Sequence, residues 1–212
     1  AHAVNKEYEL ALDVLEKAYE KLPRALVLLK AMARINMMQK DPGAAERNLK
    51  RAVDAAGNTP DPYLALGDFY FAEKNYDQAL AQYRSVIDIK PDSAAGYLKS
   101  ASVYAAQKKE AQALSILERG YEKNPDAALV LVNLVNLHVR KKDIKTAVRI
   151  CQDRLDKNDK EAFTWNLLGG VRLAEKDLDK AQQAFEKAIE LKPDWGKPYE
   201  SLARIYLVRG EK

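Results

Sequence analysis

The chain predicts an all-α fold built from repeated pairs of antiparallel helices, and three observations carry that expectation. A common residue skeleton recurs every 34 positions along the 212 residues. One position of the skeleton is alanine in every copy: Ala11, Ala45, Ala79, Ala113, Ala147 and Ala181. Another holds Pro91, Pro125 and Pro193, which cannot continue a helix and so punctuate the copies at the same place.

Taken in order, residues 1–23 read as one amphipathic helix, with Leu12, Leu15, Ala18, Tyr19 and Leu22 on a 3.6-residue period. Residues 1–25 are therefore expected to be the second helix of a truncated repeat. Five complete units follow without insertion or deletion, at 26–59, 60–93, 94–127, 128–161 and 162–195. Residues 196–212 then supply the first helix of a further, incomplete repeat. Its Leu207 and Val208 contrast with the polar outer face usual for a terminal repeat. The chain is expected to be one array, either cut from a longer one or covered at this end by another chain.

Numbering each unit 1–34, the invariant alanine falls at position 20, where a methyl lets two helices approach closely. Position 7 is apolar in Met32, Leu66, Leu134, Leu168 and Leu202, and Ser100 is the weak point of that series. Asp41 followed by Pro42 suits an N-cap and a first helical residue. Asp92, Asp126 and Asp194, just after the prolines, are expected to cap the helices that follow.

The unit at 162–195 carries Trp165, Leu168, Gly169, Ala181, Phe185, Ala188 and Pro193 at positions 4, 7, 8, 20, 24, 27 and 32. With these residues it resembles the tetratricopeptide repeat. The resemblance implies a right-handed superhelical solenoid, whose concave groove is lined by first-helix positions 2, 5, 6, 9, 12 and 13 and holds peptides or partner helices. Carried onto this chain, those positions propose a peptide-binding groove formed by Lys30, Arg34, Met37, Leu64, Asp68, Phe71, Lys99, Asn133, Asn136, Arg140, Phe163, Asn166, Gly170 and Arg204.

Within that set, Asn133 and Asn136 lie three residues apart on one helix face, with Asn166 on the next first helix. A carboxamide offers two donors and two acceptor lone pairs, enough to pair with the backbone of an extended ligand. The trio resembles the asparagine ladder of some family members; the plainer reading is solvated or helix-bound amides. Met37, Met38, Phe71 and Phe163 are apolar groove residues or core. Gly170 clears space for a ligand or is incidental. The carboxylate clamp of other members is not matched, because Arg34, Ala65 and Ala95 depart from it in one register and Val132, Leu167 and Ser201 in the other.

Other chemistry finds little support. The net charge of +4 arises from 35 basic and 31 acidic residues interleaved along helices, without the concentrated basic stripe that nucleic acid requires. One cysteine, Cys151, excludes an internal disulfide, and with His138 it makes an incomplete zinc set. Both occupy packing positions, so neither a catalytic site nor a cofactor is expected; His2 is the only other histidine. No run is apolar enough to span a membrane. The compartment stays open. The chain is expected to be a non-enzymatic adaptor for a protein or peptide, or else a scaffold that self-assembles, with residues 196–212 available for end-to-end contact.

Overall fold

The computed structural model describes residues 2–210, with side chains from Lys6 onward. Among the described residues all regular structure is helical: α1 (His2–Lys21), α2 (Leu26–Met38), α3 (Pro42–Asp54), α4 (Pro60–Ala72), α5 (Tyr76–Ile89), α6 (Ala94–Ala106), α7 (Glu110–Lys123), α8 (Ala128–Arg140), α9 (Ile144–Leu155), α10 (Ala162–Ala174), α11 (Leu178–Leu191) and α12 (Gly196–Arg209). The chain is thus an all-α helical repeat array. It divides into two compact units, the first ending at Asp126 and the second starting at Ala127. In the first, α2 packs on α3, α4 on α5 and α6 on α7; in the second, α8 packs on α9, α10 on α11 and α11 on α12.

Each pair closes on its small residue. Ala45, Ala79, Ala113, Ala147 and Ala181 are buried, as a close helix crossing demands. The turn between the two helices is also the same each time. Lys40, Lys74, Lys108, Lys142 and Lys176 adopt φ of 58–67°. The N–H of Lys40 donates to the Met37 carbonyl and that of Asp41 to the Asn36 carbonyl, at 3.0 and 2.9 Å, and the other four turns repeat this pairing. It is a C-terminal cap in which lysine stands where glycine is conformationally cheaper. In three copies the next residue starts the following helix, with Asp41, Asp143 and Asp177 accepting from the N–H of Ala44, Thr146 and Lys180.

The caps expected of Asp92 and Asp194 are not formed. The N-cap positions of α6, α8 and α12 are Ser93, Ala127 and Trp195, one residue beyond Asp92, Asp126 and Asp194, and none makes a side-chain cap bond. At α6, α10 and α12 the junction is held by the position-4 aromatic, whereas α8 has Leu131 there. Tyr97 Oη donates to the Pro91 carbonyl at 2.9 Å, Tyr199 Oη to that of Pro193 at 3.1 Å and Trp165 Nε1 to that of Asp159 at 2.7 Å. A carbonyl is available whether or not proline fills the turn, so Asp159 serves as well as Pro91.

Size complementarity sets the core between positions 8 and 24. Gly67 faces Tyr83, and Gly169 faces Phe185: a Cβ added to either glycine would lie 2.5 or 2.6 Å from the ring. The equivalent pairs are Ala33 with Leu49, Ala101 with Leu117 and Val135 with Cys151, all buried. As one member of the pair shrinks, the other grows, which keeps the filled volume near constant.

Candidate functional site

The first-helix faces of the two units differ in how far their polar groups are engaged with a neighbouring helix. In the first unit, Lys30 on α2 forms an ion pair with Asp61 on α4. Asp68 on α4 accepts from Tyr83 Oη at 2.7 Å and pairs with Lys99 on α6 at 2.8 Å. Both ion pairs join residues 31 apart, the step from one first helix to its neighbour in a 34-residue period. Leu64 and Phe71 are half-buried against the unit's core, and Phe71 also lies 6.0 Å from the Tyr76 ring. Arg34, Met37 and Met38 are exposed on α2. Most of this face is therefore committed to internal pairing or packing.

In the second unit, Asn136 on α8 and Asn166 and Gly170 on α10 line one recess of about 370 Å³. Leu167, Leu173 and Phe185 form apolar walls, and Ser201 of α12 completes the polar rim with Lys197, which also pairs with Glu200 at 3.2 Å. Gly170 has no heavy atom within 4 Å of the place a Cβ would take, so its missing side chain adds open space and serves no packing contact. Asn166 Oδ1 is buried and has no hydrogen-bond partner. Leaving such an acceptor unpaired costs about 1–3 kcal/mol.

The remaining candidates lie apart from this recess. Asn133 is exposed but donates its Nδ2 to the Leu129 carbonyl one turn back at 2.8 Å. Phe163 stacks on Trp195, with ring centroids 6.4 Å apart and planes at 20°. Arg140 and Arg204 are exposed at the end of α8 and on α12. Lys197 and Ser201 were legible as groove positions 2 and 6 of the last helix. Lys197 also stands 31 residues after Asn166, the same step that joins Lys30 to Asp61.

The cysteine–histidine pair has a structural reading. Burial pushes the Cys151 thiol up to about 12, and His138 is held by Asp143, with Nδ1 and Oδ2 3.0 Å apart. Thiolate is the reactive form, so the native protein is expected to leave Cys151 unmodified by a thiol reagent at pH 8 while the denatured chain reacts with it fully. Rapid native labelling would show access that this packing does not provide. The side chain of His2 lies outside the described residues. Among the described residues no group of three or more His, Cys, Asp and Glu gathers as metal ligands, and no helix is long and apolar enough to cross a membrane.

Models of the tetratricopeptide repeat match residues 36–102 and 162–195. The chain belongs to the tetratricopeptide-repeat family. Solved structures with the same repeats include TTC0263, a protein of Thermus thermophilus, at 18% identity and a TM-score of 0.56 over 86% of this chain and 100% of that one. YrrB, described as a tetratricopeptide-repeat protein with an unusual peptide-binding site, aligns at 15% identity and a TM-score of 0.52 over 88% of this chain and 96% of its own. MamA from Desulfovibrio magneticus RS-1 aligns at 20% and 0.53 over 79% and 95%. At such identities these structures share the fold alone. A search of the curated proteins gives no match.

Proposed function

We propose that this tetratricopeptide-repeat chain is a non-enzymatic interaction module that holds an extended segment of a partner protein on the first-helix face of its second unit. The observation that carries this reading is Asn166 Oδ1, a buried acceptor left without a partner beside an open recess. A backbone N–H of the ligand would satisfy it, while the Asn136 amide and Lys197 would receive the ligand's carbonyls. Gly170 lets that backbone approach the helix closely. YrrB, which shares the fold, is described as having an unusual peptide-binding site, and this supports the reading.

The test uses a peptide selected from a random display library on the intact chain. Its affinity is expected to fall about tenfold or more in an Asn136→Ala/Asn166→Ala variant, the loss that follows from removing one or two hydrogen bonds, one of them to the buried Asn166 Oδ1. Unchanged affinity would place its site elsewhere.

A further inference from the structure

The second-helix layer of the first unit holds another recess, of about 540 Å³, between α5 and α7 over α6. The equivalent recess two repeats earlier, lined by Leu12, Glu16, Met32, Asn36 and Arg51, holds about 470 Å³, and here position 7 is Ser100. Ser100 is 4% exposed and donates Oγ to the Gly96 carbonyl at 2.8 Å, so it is satisfied, and it is smaller than the Met32 that lines the equivalent recess. Leu80, Ile87 and Ile116 make the walls apolar, and Arg84 and Arg119 stand at the rim.

The chain contains its own record of what such a place accommodates. Sixty-eight residues before Arg119 is Arg51, whose guanidinium makes a two-point contact with Glu16 at 2.6 and 3.0 Å and lies 5.1 Å above the Tyr19 ring. The residues equivalent to Glu16 and Tyr19 are Arg84 and Ile87, again 68 positions on. Arg119 has therefore lost both its carboxylate and its aromatic ring, and a second arginine stands where the acid was. Among the described residues Arg119 has no ion-pair or hydrogen-bond partner. Asp77 and Asp88 also line the recess, and Asp88 lies 4.0 Å from Arg84, with both side chains largely exposed. That separation exceeds hydrogen-bond length, so the contact leaves Arg84 free to turn toward a better acceptor.

We propose that this recess is a second docking site, which takes a short acidic segment of a partner protein, seating an apolar or aromatic side chain over Ser100 and a carboxylate on Arg119 and Arg84. The guanidinium fork matches a carboxylate in two-point geometry, as Arg51 and Glu16 already display. The apolar walls add burial to the charge contact. This site is formed by the first unit alone and the asparagine recess by the second, so each stands or falls by itself.

The probe is the dipeptide acetyl-Phe-Glu-amide, with acetyl-Phe-Gln-amide as its uncharged counterpart, titrated into the isotope-labelled intact chain while backbone amide shifts are followed. Saturable shifts are expected at Ser100, Tyr104 and Arg119. The glutamine probe, or an Arg119→Ala variant, should weaken binding about tenfold, as loss of a charge-assisted hydrogen bond implies. An Arg84→Glu variant rebuilds the internal pair that Glu16 makes with Arg51. It should engage Arg119 and weaken the probe to the same extent while its melting temperature holds or rises. Equal binding of both probes, no saturable shift, or binding that survives Arg119→Ala would overturn the proposal. Shifts at these residues that grow with protein concentration alone would also overturn it, in favour of contact with a second copy.

Discussion

Replacing Cys151 by phenylalanine is expected to destabilise the second unit by about 1–3 kcal/mol, and adding Val135→Gly is expected to recover most of that loss. The expectation comes from the paired sizes at positions 8 and 24. Where position 24 is aromatic, in Tyr83 and Phe185, position 8 is Gly67 or Gly169, with no room for a Cβ. Val135 and Cys151 are the opposite solution, both fully buried. A ring introduced at 151 meets the valine; a glycine at 135 alone leaves a cavity and an unfavourable helix residue, costing about 2–4 kcal/mol. The two changes together rebuild the arrangement of Gly169 and Phe185. Denaturant unfolding of the four proteins gives the coupling energy directly. Additive losses would show that the complementarity is coincidental.

Adjacent glycines in α10 should respond in opposite directions to the same substitution. Gly169→Ala places a methyl 2.6 Å from Cε1 of Phe185, whose ring is 1% exposed and has little freedom to withdraw. Overpacking of about 1–3 kcal/mol outweighs the roughly 1 kcal/mol that alanine gains over glycine in a helix. The melting temperature should fall. Gly170→Ala meets nothing, so the propensity gain of about 1 kcal/mol stands alone and the melting temperature should rise. Stabilisation by both, or loss in both, would contradict the assignment of one glycine to packing and the other to the recess.

These residues also show where sequence reasoning succeeded and where it stopped. The fold was legible because alanine at position 20 and the apolar positions are set by helix crossings that recur at one period. The turn lysines recur at that period as well, yet a left-handed φ leaves no hydrophobic signature and glycine is the usual sign of it. Asp92 was misplaced as a cap because helix starts are uncertain by a residue, and the chain turned one residue later, at Ser93. Groove positions identified the surface residues but not their state. Lys30 and Asp68 are spent on Asp61 and on Lys99 with Tyr83, Phe163 is stacked on Trp195, and Asn133 bonds its own helix. Which of them keeps unused capacity depends on neighbours a repeat away. Opposite charges spaced by 31 residues were the available signal.

The central claim is that Asn166 is kept for a ligand at some expense to the fold. Asn166→Leu is nearly isosteric and removes the unpaired buried acceptor, so stability should hold or rise while affinity for a library-selected peptide falls about tenfold or more. Melting temperature and peptide affinity measured on this one variant decide the matter. A stable variant that no longer binds is the predicted result; a variant that binds as before, or one that loses substantial stability, would contradict it.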